Sequence, residues 1–164
     1  MKKIICILLT LAALCALCAC EPTDKESAAF ASFAYHGAEV AIDADAEAVL
    51  AGLGAYDAFA ETNSCYGDGK DKVYQYASFK VMTYSVQGKD YVLSVEIFND
   101  TDECARTAEG ICIGASAADV IATYGDAKEQ SDTSIIYVNT ATKTRLQFLL
   151  RDGRVTNIQY LKSE

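Results

Sequence analysis

Basic residues are scarce in this sequence: 14 Lys and Arg face 23 Asp and Glu, a formal net charge of −9 over 164 residues. Affinity for nucleic acid is built from Lys and Arg contacts to phosphate, so no nucleic-acid partner is expected. Histidine is scarcer still. His36 is the single imidazole, too little to complete a zinc site with a cysteine pair, and no metal or other cofactor is expected. Proline occurs once, at Pro22. Also missing is an apolar run of the roughly 20 residues that a membrane-spanning helix needs. The longest, Ile4 to Ala19 with only Thr10 polar, stops short of that.

Cysteine is present in a telling place. Four of the seven, Cys6, Cys15, Cys18 and Cys20, fall in the first twenty residues. Lys2 and Lys3, then an apolar stretch, then small residues before the break at Glu21-Pro22-Thr23-Asp24 have the form of an export signal. Leu17-Cys18-Ala19-Cys20 resembles the lipobox of bacterial lipoproteins. The resemblance implies cleavage before Cys20 and a diacylglyceryl group on its sulfur. Cys15 and Cys18 would leave with the signal, so their C-x-x-C is not a site of the mature chain. Two acyl chains anchor a protein stably where one does so only marginally. The expected location is extracytoplasmic, on the cell membrane, held by lipid.

The expected organisation is a signal peptide over 1–19, a lipidated cysteine and tether over 20–35, and two related segments over 36–103 and 104–164. Cleavage leaves 145 of the 164 residues, and loss of Lys2 and Lys3 leaves 12 basic against 23 acidic side chains, a net charge of −11. That charge keeps an exported protein soluble.

The two segments are related by a duplication. At a constant offset of 71, IDADAEAVLAGLG (Ile42–Gly54) aligns with IGASAADVIATYG (Ile113–Gly125). Asp45 and Ser116 are helix N-cap residues, and Glu47 and Asp119 put negative charge in the first turn. Ala46, Val49, Leu50 and Leu53 form an apolar stripe at i, i+3, i+4, i+7, as do Ala117, Val120, Ile121 and Tyr124. Gly54 and Gly125 suit the helix ends. Each helix is followed by strand-like sequence with a turn at Gln87-Gly88 or Asp152-Gly153. The first copy inserts ETNSCYGDGKDK, Glu61–Lys72, between helix and sheet. The expected fold class is therefore α+β: two units of helix plus antiparallel strands, sharing or abutting sheets, with both helices on one face.

GICIGASAADVIATYGDA (Gly110–Ala127) resembles the helix motif of BamE-like and β-lactamase-inhibitor-protein-like repeats. SCYGDGKDKVYQYASFKVMTY (Ser64–Tyr84) resembles a group of Gram-positive lipoproteins with a tandem arrangement. The resemblance spans nearly all of residues 36–164. It implies a small exported module that binds another protein of the envelope, and it transfers no binding residue.

Candidate chemistry is thin, and no catalytic residue is assigned. Asp43, Asp45 and Glu47 begin like an EF-hand loop, but Ala48 stands where glycine is required and Gly54 where the last ligand belongs. GDGKDK (Gly67–Lys72) lacks the spacing of a phosphate-binding loop and reads as a turn or exposed loop. His36 and Cys65 are the one imidazole–thiol pair of the mature chain, and their meeting would be needed for a thiol or hydrolytic enzyme. Cys104 and Cys112 flank Arg106-Thr107-Ala108-Glu109-Gly110 and either pair as a disulfide or sit as small buried apolar residues. The ten tyrosines read as strand formers or as a recognition surface. Strict alternation places Leu146, Phe148, Leu150, Ile158 and Tyr160 on the covered face. Met82, Tyr84, Val92, Phe98, Leu149, Val155 and Leu161 then form an outward binding face, with the register at Met82 and Tyr84 left open by the unequal hairpins. The expected function is a protein-binding module; the alternative is a small-molecule or peptide binder in a groove between the segments.

Overall fold

The computed structural model describes residue 30 and residues 32–64, 69–101 and 105–163. Its elements run β1 (Ser32–Tyr35), β2 (Ala38–Ala41), α1 (Ala46–Leu53), β3 (Ala58–Asn63), β4 (Lys70–Gln75), β5 (Phe79–Val86), β6 (Lys89–Ile97) and β7 (Arg106–Thr107). Then follow α2 (Ala117–Tyr124), β8 (Glu129–Gln130), β9 (Ser134–Asn139), β10 (Thr144–Arg151) and β11 (Arg154–Lys162). In space, β3-β4-β5-β6-β11-β10-β9-β8 form one eight-stranded sheet and β2-β1-β7 a small second sheet. All pairings are antiparallel.

This architecture overturns the expected α+β class: the protein is mostly β, built on one large antiparallel sheet. The physical reason is size. Each helix has eight residues and is about 12 Å long, whereas eight strands at ~4.8 Å spacing span about 34 Å. Two such helices cannot form a layer over that face. The small sheet supplies much of the rest, since Phe33 and Val40 lie in the same apolar core as Val49, Leu53 and Val120 of the helices. Ser32–Tyr35, expected to belong to the tether, is β1, and Phe33 is fully buried. β1 pairs with β2 of the first related segment on one side and β7 of the second on the other, and so bridges the two.

What the duplication specifies is local. The Asp45 carboxylate accepts from the Glu47 N–H at 3.1 Å. Ser116 and Asp119 cap each other, hydroxyl to backbone N–H and carboxylate to backbone N–H, both at 3.1 Å. Gly54 and Gly125 end the helices at φ 80° and 78°. Gln87-Gly88 and Asp152-Gly153 both take positive φ at the two central positions, the type I′ turn of tight hairpins. The loops ahead of the helices also dock alike. Ala44 and Ala115 each accept a backbone hydrogen bond, from Val92 and Val155 at 3.0 and 2.9 Å.

Those docked strands carry a matched irregularity. The β5–β6 register jumps between Met82 and Thr83, leaving Leu93 as the extra residue, and the β10–β11 register jumps between Leu149 and Leu150, leaving Thr156. An extra residue inverts the alternation beyond it. Leu146, Phe148, Leu150, Ile158 and Tyr160 are buried, as the alternation predicts. Past the bulges the expected outward face fails: Val92 and Val155 are 0% and 1% exposed and belong to the core. Tyr84 is 7% exposed, its hydroxyl donating to Asp43 at 2.8 Å and accepting from Lys162 at 2.8 Å. Met82, Phe98, Leu149 and Leu161 are half-buried.

Val92→Asp or Val155→Asp is therefore expected to lower stability by about 3 kcal/mol or more, because a carboxylate would lie in the core without a partner. Met82→Ser and Leu161→Ser should each cost about 1 kcal/mol or less. Urea denaturation of the four variants checks this; equal losses in all four would contradict the bulge assignment.

Candidate functional site

The internal duplication isolates what the fold does not require. Asp57 and Lys128 donate equivalent backbone hydrogen bonds, to Gln75 and Ile136, both at 2.8 Å. Phe59 and Gln130 then occupy matching places, opposite Tyr74 and Ile135. After Gln130 the chain turns back at once through Ser131, whose N–H donates to the Ser134 carbonyl at 2.8 Å. After Phe59 it continues for four more strand residues before returning as β4. The inserted stretch thus extends a two-stranded arm at one end of the large sheet. Lys70, Asp71 and Lys72, expected in a loop, lie in β4.

Every residue of β3 is exposed. Tyr56 and Phe59 are 47% and 46% exposed and, with Tyr74, form a three-ring cluster whose centroids lie 5.2 to 6.1 Å apart. The register puts Phe59 and Tyr74 on the face that carries Val81 and the core. There an open groove runs between the arm and α1, lined by Asp45, Glu47, Leu50, Tyr74, Lys89 and Asp90.

Polar side chains brace the base of the arm. Lys72 donates to Asp90 at 2.6 Å, and the Ser85 hydroxyl donates to the other oxygen of that carboxylate. Lys70 pairs with Glu61, Ser64 donates to Asp71 at 2.6 Å, and Lys89 pairs with Asp45 at 2.9 Å. Burial alone would push the Asp90 carboxyl up, but hydrogen bonds from Lys72 and Ser85 outweigh it and hold it below its ordinary value. The same bond to Asp90 holds the Lys72 ammonium above its own, against partial burial. A carboxylate so depressed is a poor base for Ser85. The cluster fixes the arm to β5 and β6.

The residues singled out from sequence are scattered. Cys20, Cys65 and Cys104 lie outside the described residues, and Cys112 is a half-buried free thiol. His36 sits in the β1–β2 turn at φ 47°, its ring 4.3 Å from that of Tyr35. Asp43 and Asp45 diverge: Asp43 accepts from Lys162 at 2.7 Å and from Tyr84, while Asp45 caps α1. Among the described residues no group of three His, Cys, Asp and Glu side chains is arranged to hold a metal ion. Met82, Leu149 and Leu161 are on the outer sheet face, away from the arm's aromatic cluster. Sequence reasoning missed Tyr56, Phe59 and the outer edge of β3, with which no described residue pairs. The signal was there in Tyr56-Asp57-Ala58-Phe59-Ala60, which leads into an insert absent from the second copy.

No family model and no curated protein matches the chain. Among solved structures, a cysteine-rich secretory protein from Staphylococcus aureus subsp. aureus Mu50 is similar in fold, with a TM-score of 0.50 and 13% identity. The match covers 80% of this chain and 47% of that one, so the chain spans about half the length of that protein.

The Lys72–Asp90 pair sets a pH dependence. A depressed carboxyl stabilises the fold above its unfolded value and loses that contribution as pH falls below about 4; a raised ammonium loses it as pH climbs past about 10.5. Asp90→Asn is expected to cost about 0.5–1 kcal/mol at pH 7, as for partly exposed ion pairs. The gap to wild type should narrow as pH falls from 7 toward 3, read from urea midpoints; a gap constant over that range would show the pair contributes nothing.

Proposed function

We propose that this protein is a lipid-anchored, extracytoplasmic module that binds another protein of the cell envelope through the β3–β4 arm. The observation that carries the reading is the arm itself: six consecutive exposed strand residues, with the exposed rings of Tyr56 and Phe59 clustered on half-buried Tyr74. Aromatic side chains are enriched in recognition surfaces, and grouped exposed rings mark interaction sites more than isolated ones do. The duplication adds a second reason. The other copy ends its equivalent strand after Gln130, so the arm serves something besides the core. Anchoring rests on Leu17-Cys18-Ala19-Cys20 behind a basic, apolar leader. The resemblance to BamE-like modules, which present a surface to other proteins, points the same way.

A photo-crosslinking residue placed at Phe59 in native cells is expected to trap one discrete envelope protein. The same residue at Gln147, on the outer face of the sheet, should trap none. Cys20→Ser should release the protein from the detergent phase or leave it unprocessed. Crosslinks at Gln147 alone would put the interface elsewhere, and unchanged detergent partitioning of a normally processed Cys20 variant would remove the anchor.

A further inference from the structure

The arm offers more than rings. β3 is the terminal strand of the large sheet, and no described residue pairs with its outer edge. The Ser64 N–H donates to the Gly69 carbonyl at 3.1 Å, and the register 58↔75 to 63↔70 continues that pairing. In an antiparallel ladder residues alternate between those that exchange hydrogen bonds with the neighbour and those that face away. Ala58, Ala60 and Thr62 therefore bond to β4, and Phe59, Glu61 and Asn63 turn their N–H and C=O groups outward. The Lys70 carbonyl agrees: opposite Asn63, it points away from β3 and lies 3.2 Å from the Ser85 hydroxyl oxygen. The outward-facing row is a template for one further strand.

Deepening the protein-binding reading, on which it rests, we propose that the occupant is an extended segment of a partner protein that adds to β3 as an antiparallel ninth strand. The segment presents a basic residue opposite Glu61 and, two residues further toward its C-terminus, an apolar residue opposite Phe59. Orientation follows from the sheet, in which every existing pair is antiparallel. The apolar residue joins the cluster of exposed Tyr56 and Phe59 with half-buried Tyr74. The basic residue meets the exposed Glu61 carboxylate, which it would share with Lys70, on a chain of net charge −9.

Register argues against a second copy of this chain. Outward residues must meet outward residues. A twofold axis through Glu61 sets Glu61 against Glu61 of the second copy, and like charges directly opposite are unfavourable. An axis through Ala60 leaves just the Phe59–Glu61 pairing, made twice. Two chains of net charge −9 add repulsion to either arrangement.

The test uses the full-length protein in detergent micelles and two heptapeptides, Thr-Ser-Thr-Lys-Val-Phe-Thr and its variant with glutamate in place of lysine. The lysine peptide is expected to bind about tenfold more tightly than the glutamate peptide, the span between an attractive and a repulsive cross-strand pair. Glu61→Lys should invert that preference. Binding should protect the backbone N–H groups of Phe59, Glu61 and Asn63 from exchange and leave Ala60 and Thr62, already in the ladder, unchanged. Asn63→Pro removes an outward donor, keeps the β4 ladder and should abolish binding. Equal affinity for both peptides, protection without that alternation, or no binding of either overturns strand addition. So does a concentration-dependent dimer that protects the same three N–H groups in the absence of peptide. Should the peptides fail while crosslinks at Phe59 persist, the protein-binding reading stands and strand addition alone falls. Exchange protection on the wild type decides the matter even if Asn63→Pro does not fold.

Discussion

The structure depends on a short seam. β6 and β11 meet over four residue pairs, Ile97–Ile158, Glu96–Gln159, Val95–Tyr160 and Ser94–Leu161, and these join two hairpin systems into one eight-stranded sheet. On the inner side Ile97, Ile158, Val95 and Tyr160 are wholly buried. On the outer side Asn157 donates to Glu96 at 2.7 Å, and Glu96 also pairs with Lys80. A seam this short would be weak as a lone ladder. Its strength comes from the loops beyond it. Where β11 leaves β6, the residues before α1 take its place, with Asp43 donating to the Val92 carbonyl at 2.9 Å. Lys162, at the end of β11, donates to Asp43 and Tyr84. Hydrogen bonds to both hold its ammonium above the ordinary value, against the opposing effect of burial. Three stretches far apart in sequence are tied at one point.

The same seam organises the aromatic core. On one side Phe79 packs with Phe33, Tyr35 and Tyr76; on the other Tyr137 packs with Phe30, Tyr124 and Phe148. Each half thus has its own ring cluster beneath its own hairpin. One short strand, β1, supplies Phe33 and Tyr35 to the first cluster, just after Phe30 enters the second. The small sheet is the part that converts two half-cores into one.

Local features were legible in the sequence because their causes are local. Ser116 and Asp119, Gly54 and Gly125, and the two I′ turns all sit where side chain or φ requirement places them. Class was not legible, because an apolar helical stripe says nothing of how much sheet it must cover. Facing failed at Val92 and Val155 for a sharper reason: one extra residue flips a strand, and Leu93 and Thr156 look like ordinary members of their strands. The arm was half legible. Its existence followed from comparing the two copies, but glycine and charge in GDGKDK suggested a loop where cross-strand pairing of Lys72 with Thr83 makes Lys70–Lys72 strand.

The placement of β1 has a mechanical consequence. It is the central strand of its sheet, hydrogen-bonded to β2 on one side and β7 on the other, with Phe33 wholly buried beneath it. Traction arriving through the residues before Phe30 would run along this strand and strain both ladders together, in shear, instead of peeling one bond at a time. A body dragged by that end would yield only when both flanking strands and the ring under Phe33 gave way at once.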